Sequence, residues 1–431
     1  MVFENSRTFT FDQNEEEERK KICDEILKVL QKDLGPSCQA TCLETIRILS
    51  RDKKALTPLT TRPAMLALMR LAGLEYTQSS AQEMPNFSVI IEALKCLCNI
   101  VFNSEKAQQL SVDFKLVSGA CERLKVHRDK NVPREIKFFD LRLLFLLSAL
   151  RMDARAQLKE EQGLLLLTDI LENTLDIKWS DKYVVATDRK GPVLSNEQAD
   201  LSMEVLKALF NVTYDCSQQQ IDEDRAHQNR HLAAILCHCL LLKTQSEGKT
   251  EEFHSHTVNL LNNIPASSLD LLFSPSIKCG TVEYNGKMMD AVEVLLSFME
   301  NRIDKGSNLK EGLTPVLSVL TECCRVHRDM RKYIRSRVNL LGGDCVYHLI
   351  SSINPITGHV EDPMPNPMDG MTEEQKEYEA MKLVNMFDKL SREQIIKPMR
   401  VKPDGTIGPL EEAASEYTND HNSTSDSDEN I

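Results

Sequence analysis

Two pairs of polar residues lie inside strongly apolar segments of the sequence, where packing alone would favour leucine. Arg47 and Arg51 are four positions apart, as are Asn99 and Asn103, so on a helix each pair shares one face. A guanidinium group can bind a carboxylate through two parallel hydrogen bonds. An asparagine amide offers both a donor and an acceptor to the main chain of a bound segment. The pairs therefore predict a surface that grips a peptide.

Asparagines recur at similar places in later apolar segments, at Asn211 and Asn262. The recurrence favours a repeated binding role over four unrelated ones. The alternative for any single residue is a structural one, in which the side chain forms hydrogen bonds within its own repeat or caps a helix end. Both interpretations stay open at the level of sequence.

A second cluster is basic and lies in the last third of the chain. It consists of Arg325, Arg328, Arg331 and Lys332. We expect these residues either to form the far wall of the same groove or to be a solvated helix face with no partner.

Cysteine and histidine residues at one place in the chain are candidate metal ligands. Cys237, His238 and Cys239 are consecutive, with His254 and His256 nearby. A C-x-C pair on a helix points its two sulfur atoms in nearly opposite directions, which does not suit a closed zinc site. Most of the thirteen cysteines lie in apolar helical runs, so we expect buried free thiols, no metal and no cofactor.

The sequence contains none of the common catalytic signatures. We find no P-loop, no G-x-G-x-x-G after a strand, no G-x-S-x-G and no H-E-x-x-H. The net charge of -13 argues against binding to nucleic acid or to anionic membrane. No apolar run reaches the length of a membrane span, and the N-terminus does not resemble a secretory signal. We expect a non-catalytic, cytoplasmic binding protein.

The elements that must position these residues are helices. Apolar spacing predicts a first helix over about 15–34 and a second over about 37–51, and no segment shows sustained alternation typical of strands. Short apolar helices that end in a polar break recur at roughly 50 to 65 residues, somewhat longer than a plain armadillo or HEAT repeat. We predict a capping box at Ser195 and Gln198. Unrelated helical domains are the alternative.

The predicted fold is an all-α, armadillo/HEAT-like, right-handed superhelical solenoid over residues 1–340. Residues 341–371 should be a linker rich in Pro, Asn and Gly, and 372–400 an amphipathic helix that presents Val384 and Phe387. Residues 401–431 should be a disordered acidic tail. Within it, Ser425 and Ser427 precede acidic residues and are candidate phosphorylation sites.

Several long phrases resemble the synembryn family. They are EALKCLCNIVFNS, FFDLRLLFLLSALR, EEFHSHTVNLLNNIP, GLTPVLSVLTEC and NPMDGMTEEQKEYEAMKLVNMFDKLSRE. The phrases KALFNVTYD, RIDKGS and KPDGTIGPLEEA are more similar to the B form of the family. The resemblance covers nearly the whole chain.

The resemblance implies a chaperone and guanine-nucleotide exchange factor for heterotrimeric G-protein α subunits (Gα), of the stimulatory and olfactory class for the B form. It implies a monomer that binds the C-terminal helix of Gα in its groove, in the cytoplasm and at the cell cortex. The alternative is a generic armadillo-type scaffold that binds extended peptides without exchange activity. The residues that the resemblance assigns to partner binding are Arg47, Arg51, Asn99, Phe139, Phe145, Phe210, Arg328, Arg331 and Lys332. We add Asn211 from the recurrent asparagines, and Val384 and Phe387 from the amphipathic helix, as further predicted contacts.

The sequence departs from the family pattern in two places. Residues expected before SRTFTFD have no counterpart. After KYIRSRV the chain passes through VNLLGGDCVYHLISSINP directly to the linker, where the family continues with further repeats and an acidic stretch. We therefore expect a shortened solenoid, in which Gα binding is better preserved than full exchange activity.

Overall fold

The structure is a computed structural model of the 431-residue chain. It describes residues 11, 13–32, 34–74, 86–126, 128, 131–186, 193–214, 223–273, 282–305, 309–340, 372, 399–401 and 407–409. The predicted contact residues Val384 and Phe387 and the candidate phosphorylation sites Ser425 and Ser427 lie outside this range.

The described part is dominated by α-helices, and the predicted first and second helices are present as α1 and α2. The helices are α1 Glu16–Leu30, α2 Pro36–Leu49, α3 Arg62–Leu71, α4 Phe87–Asn103, α5 Glu105–Asp113, α6 Leu116–Lys125, α7 Arg134–Leu150, α8 Met152–Glu160, α9 Gly163–Thr174, α10 Asn196–Thr213, α11 Glu223–Leu241, α12 Glu247–Leu261, α13 Asp290–Lys305, α14 Leu309–Val326 and α15 Arg328–Leu340. Short 3-10 helices cover Gln13–Glu15, Lys53–Leu56, Pro58–Thr60 and Ala266–Phe273.

Side-chain caps explain where several helices begin. Ser195 caps α10 by accepting from the Gln198 main-chain N–H at 3.2 Å, while the Gln198 side chain accepts from the Ser195 N–H. The predicted capping box is therefore confirmed. Ser104 and Ser246 cap α5 and α12 in the simpler way, each accepting from a main-chain N–H three residues later. Such a cap contributes about 1 kcal/mol because it satisfies a donor that the helix itself leaves unpaired.

The helices stack in two layers. Six of them, α2, α4, α7, α10, α12 and α14, each pack on the next and form the inner row. A second layer, which includes α3, α6, α9, α11 and α13, packs against one side of the inner row. The all-α, armadillo-like solenoid predicted from the sequence is confirmed.

The core lies between the two layers. Leu94 and Leu97 of α4, like Leu206 and Leu209 of α10, are completely buried. Each such side chain contributes on the order of 2 kcal/mol by leaving water. Helices of the inner row are therefore buried on both flanks, which leaves one narrow face of each for polar residues.

The structure also contains short strands, which the sequence did not predict. They are β1 Trp179–Asp181, β2 Val184–Val185, β3 Val193–Leu194, β4 Lys243–Thr244, β5 Glu283–Tyr284, β6 Lys287–Met288, β7 Met399–Val401 and β8 Ile407–Pro409. Pairs β1–β2, β5–β6 and β7–β8 are antiparallel, and β3–β4 is parallel. Two or three residues are too few for alternation to be visible.

The chain divides into two compact units, the solenoid and a C-terminal unit that contains β7 and β8. In the C-terminal unit, Val401 pairs with Ile407. This pair of strands lies where the sequence predicted the end of a helix and the start of a disordered tail.

Candidate partner-binding surface

Asparagine side chains connect successive helices of the inner row. Asn99 of α4 donates from Nδ2 to the Arg47 carbonyl of α2 at 3.0 Å and to Ser50 Oγ at 3.2 Å. Asn211 of α10 donates in the same way to the Phe145 carbonyl of α7 at 3.2 Å and to Ser148 Oγ at 3.0 Å. In each case the carbonyl and the hydroxyl are three residues apart on the preceding helix.

A third member of this series is Asn263. Its Nδ2 donates to the Phe210 carbonyl and to Thr213 Oγ1, both at 3.1 Å. The sequence interpretation named Asn262 instead, but Asn262 is exposed at the end of α12. Helical spacing cannot distinguish the two adjacent asparagines because α12 ends at Leu261, just before both of them.

The series of asparagine hydrogen bonds is interrupted between α4 and α7, where both the hydroxyl residue and the asparagine are replaced. Residues Ser50, Val101, Ser148 and Thr213 occupy equivalent positions in α2, α4, α7 and α10. Val101 lacks a hydroxyl, and the following helix carries Leu146 where α4 and α10 carry asparagine. An asparagine without its acceptor would be a buried unsatisfied group, so replacing both partners by apolar residues avoids that cost.

A charged cluster crosses α2, α4 and α7. Glu92 accepts from Arg47 Nε at 2.7 Å and from Lys95 Nζ at 2.9 Å. Lys95 also lies 3.0 Å from Glu135 of α7. The Arg47 side chain is only 23% exposed, so its guanidinium group is held by Glu92 and does not extend freely into solvent.

A second cluster of the same kind crosses α7 and α10. Glu204 contacts Arg142 at 2.9 Å and Lys207 at 2.5 Å, and its carboxylate is almost completely buried. The motif E-x-L-K-x-L-x-N at 92–99 and again at 204–211 supplies the acid, the lysine and the asparagine of both repeats. Sequence reasoning missed Glu92, Lys95, Glu204 and Lys207, although this internal repeat would have identified them.

The predicted phenylalanine contacts lie beside these lysines. Phe139 is 8% exposed, and Lys95 Nζ is 5.5 Å from its ring centroid. Phe145 is partly exposed, with Lys207 Nζ at 4.9 Å from its ring. Phe210 is also partly exposed and packs against Tyr214, with the ring centroids 6.0 Å apart. Phe139 and Phe145 therefore contribute to packing between repeats, whereas the contact of Phe210 with Tyr214 lies within α10 and its C-cap.

Three exposed residues directly follow Ser50, Val101 and Thr213 in the chain. We call them the edge positions: Arg51, Phe102 and Tyr214. Phe102 is 62% exposed and Tyr214 60% exposed. Arg51 is exposed, and its side chain forms no hydrogen bond or ion pair with the other described residues. Of these three, only Arg51 was predicted, because an exposed aromatic residue at a helix end resembles a core residue in sequence.

Two residues of the basic cluster in α14 and α15 form hydrogen bonds or ion pairs within the protein. Arg331 donates to the Cys324 and Arg325 carbonyls at 2.5 and 3.1 Å and so caps the end of α14. Arg325 pairs with Glu322 at 2.8 Å. Arg328 and Lys332 are exposed. Arg328 and Lys332 are therefore the members of this cluster with side chains available to a partner.

The cysteine and histidine residues considered as ligands do not converge. In the described residues there is no group of three or more His, Cys, Asp or Glu side chains that could hold a metal ion. Cys237 and Cys239 are buried, and burial raises the pKa of each thiol above its ordinary value. Burial lowers the pKa of His238 to about 4. The described helices include none that is long and apolar enough to span a bilayer.

Comparison with known proteins identifies a family. The family described as "Guanine nucleotide exchange factor synembryn" matches residues 42–341 and 349–406 of the chain. The two matched ranges are interrupted at 342–348, within the segment where the sequence departs from the family pattern.

Relatives match over nearly their whole length. "Chaperone Ric-8A" of Gallus gallus is 45% identical over 509 aligned residues, with 99% of this chain and 94% of the relative covered. "Chaperone Ric-8A" of Xenopus laevis is 46% identical, covering 95% and 92%. "Chaperone Ric-8B" of Mus musculus is 41% identical, covering 98% and 94%. The short phrases suggested the B form of the family. The identities do not favour it, because the two Ric-8A relatives are slightly more similar to this chain than the Ric-8B relative is.

The alignment with the Gallus gallus relative is longer than the 431-residue chain, so that relative holds residues with no counterpart here. Among solved structures, a chain of the crystal complex SYS-1/POP-1 matches with a TM-score of 0.50 and 11% identity, covering 77% of this chain and 55% of that one. This likeness concerns the fold alone. From the family match and the identities with its relatives, the chain belongs to the synembryn family of chaperones and guanine-nucleotide exchange factors.

Proposed function

We propose that the inner row binds the C-terminal helix of a heterotrimeric G-protein α subunit and thereby promotes both GDP release and folding of that subunit. The observation that carries the proposal is the set of edge positions, where Arg51, which pairs with no other described residue, and the exposed aromatic side chains of Phe102 and Tyr214 occupy equivalent places at the ends of α2, α4 and α10. Membership of a family of guanine-nucleotide exchange factors supports this class of partner.

The edge positions suit an amphipathic helix that ends in a carboxylate. The apolar face of such a helix would pack on Phe102 and Tyr214, in the manner of helices bound in hydrophobic grooves. The carboxylate would accept two hydrogen bonds from Arg51, whose planar guanidinium group matches its geometry. Exposed Arg and aromatic residues are the types that supply most of the binding energy at protein interfaces.

The other predicted contacts would support this line. Phe145 and Phe210 present part of their rings, while the buried Phe139 would support the surface from beneath. Arg47 would balance the negative charge of Glu92 beside the binding surface. Arg328 and Lys332 would meet acidic groups at the far end of the row, and Val384 and Phe387 remain proposed contacts from the C-terminal segment.

The mechanism requires no chemistry on the nucleotide. The chain would bind a Gα conformation that holds GDP weakly, and the difference in affinity between the two Gα conformations sets how far the equilibrium moves. GTP binding would reverse the shift and dissociate the complex. The same contacts would stabilise newly made Gα by mass action, because they bind folded and not unfolded chains.

The hydrogen bonds of the asparagines argue against the alternative of a scaffold for extended peptides. Such a scaffold needs amide donors that point to the bound main chain. In this protein the Nδ2 groups of Asn99, Asn211 and Asn263 already donate to the preceding helix. The side chains left for a partner are charged and aromatic, which suits the face of a helix better than an extended strand.

The class of Gα is a separate proposal. The proposal is that the chain serves the stimulatory and olfactory class, to which the sequence phrases point. Its affinities for C-terminal peptides of stimulatory and inhibitory Gα would test this directly.

We propose that the chain acts as a monomer in the cytoplasm and at the cell cortex, where Gα would recruit it. We also propose that the interruption at 342–348 shortens the inner row, so that binding is retained more fully than exchange activity.

The test is binding of a fluorescent peptide with the sequence of a Gα C-terminal helix, measured by anisotropy with the full chain. The variant Arg51→Glu should weaken binding at least about tenfold, because it replaces an attraction for the carboxylate by a repulsion. Arg70→Glu is the matched control, since Arg70 is also exposed but lies on α3 of the second layer. Equal affinities of wild type and Arg51→Glu would overturn the proposal.

A further inference from the structure

A cavity of about 550 Å³ lies away from the inner row. It is formed by α9, the β1–β2 hairpin and α11, and no inner-row helix lines it. Its volume is within the range of sites that hold small organic ligands. Neither the family assignment nor the proposed function uses this cavity.

One wall of the cavity is an aromatic stack that is held in place by a carboxylate. The indole of Trp179 and the imidazole of His231 have ring centroids 4.8 Å apart. Trp179 Nε1 donates to Glu172 Oε1 at 2.6 Å, and His231 Nε2 lies 2.9 Å from the other oxygen of Glu172. The carboxylate therefore fixes both rings before any ligand binds, which lowers the entropic cost of binding.

Tyr183 forms a second wall at the turn of the hairpin. Its main chain has a φ of 64°, a left-handed conformation that is unfavourable for an aromatic residue. Its hydroxyl is hydrogen-bonded to His227 Nδ1, and the Arg230 guanidinium lies 5.6 Å from its ring. These contacts with α11 hold the ring at the cavity in spite of the backbone strain.

The two charged side chains of the lining, Asp181 and Lys182, are exposed and opposite in charge, and the charged groups behind the lining are paired. Arg230 donates two hydrogen bonds to Asp270, both at 2.8 Å, and Glu172 is occupied by Trp179 and His231. No unbalanced buried charge is left among these groups to attract an ion. A charged ligand would lose hydration and would meet one exposed charge of each sign, and exposed ion pairs contribute little to binding.

One uncharged polar group of the lining is unengaged. The side chain of Gln228 makes no hydrogen bond with the other described residues, and it borders the cavity. Its carboxamide offers one acceptor and two N–H donors. The remaining surface is largely apolar, with Leu164 and the half-exposed Leu165 contributed by α9.

From these features we infer that the cavity binds an uncharged, planar aromatic ring that carries a carboxamide-type edge. The ring would lie against the wall formed by Trp179 and His231, because offset aromatic stacking adds to the energy of apolar burial. The edge of the ring would pair with the Gln228 carboxamide, donor to acceptor and acceptor to donor.

The full chain reports on this cavity directly, because Trp179 is its only tryptophan. Three probes separate the features of the inference: benzamide has the ring and the edge, cyclohexanecarboxamide has the edge without the ring, and benzoate has the ring with a charge. Trp179 fluorescence should change saturably with benzamide at about millimolar Kd, as expected for a ligand of this size. The other two should bind at least about fivefold more weakly.

The variant Gln228→Leu should weaken benzamide binding at least about fivefold, whereas Gln245→Leu, at an exposed position outside the cavity, should leave it unchanged. Equal binding of all three probes by the wild-type chain would overturn the inference, as would benzamide binding that Gln228→Leu does not weaken. Should Gln228→Leu fail to fold, the selectivity among the three probes decides alone. Binding of the Gα peptide is a separate measurement and does not depend on this result.

Discussion

Asn211 Nδ2 and Ser148 Oγ are 3.0 Å apart across the boundary between α10 and α7, and the two side chains are almost completely buried. Ser148 Oγ in turn donates to the Phe145 carbonyl at 3.1 Å, which also accepts from Asn211. Three polar groups thus satisfy one another in an apolar interface. Because buried polar groups are costly when unpaired, this arrangement fixes the register of one repeat on the next.

Asn211→Ala should reduce the free energy of unfolding by about 1–3 kcal/mol, because it leaves the Phe145 carbonyl without this donor and opens a small void. Urea denaturation monitored by circular dichroism measures the change. Asn262→Ala, at the exposed end of α12, should change stability by less than about 0.5 kcal/mol. A loss of equal size in both variants would show that the bond to α7 has no special role.

The sequence predicted the helices and the capping box, because these depend on local spacing and on neighbours within four residues, and the recurrence of apolar helices predicted the solenoid. It did not predict that Asn99 and Asn211 donate to the preceding repeat. Their acceptors are more than 45 residues away in the chain, and only the packed structure brings them together. The edge residues Phe102 and Tyr214 were missed for a related reason, since periodicity identifies apolar residues but not which of them remain exposed.

Glu204→Gln should destabilise the protein by about 2–4 kcal/mol, because it leaves Arg142 and Lys207 without their shared, buried counter-ion. The matched substitution on the same helix is Glu197→Gln. Glu197 and its partner Arg134 are each 71% exposed, so this change should cost less than about 1 kcal/mol. Thermal denaturation of both variants measures the difference, and equal melting temperatures would contradict the assignment of Glu204 as the centre of the cluster.

Stability should depend on pH through His238. Burial lowers its pKa from about 6.5 to about 4 in the folded chain, so between these values the unfolded chain binds the extra proton. The free energy of unfolding should therefore fall as the pH is lowered from 6.5 towards 4. His238→Leu should reduce this slope by up to about 1.4 kcal/mol per pH unit and leave the slope above pH 7.5 unchanged. Identical slopes in the acid range would contradict the prediction.

Phe102→Ala should weaken binding of the Gα C-terminal peptide about tenfold while changing stability little, because the side chain is 62% exposed. Phe87 offers a matched control on the same helix, since it is 42% exposed at the opposite end of α4. Phe87→Ala should bind the peptide as the wild type does. Equal weakening by both substitutions, measured by anisotropy, would contradict a specific role of the edge position Phe102 in peptide binding.

The most direct test of the account is release of labelled GDP from a purified Gα subunit, intact or lacking its C-terminal helix, in the presence of the full chain. We predict faster release from the intact subunit and no effect on the truncated one. A chain in which the segment of the Gallus gallus relative replaces 342–348 should act more strongly on the intact subunit. Equal acceleration of both subunits, or none by either chain, would contradict the claim that the inner row works through the Gα C-terminal helix.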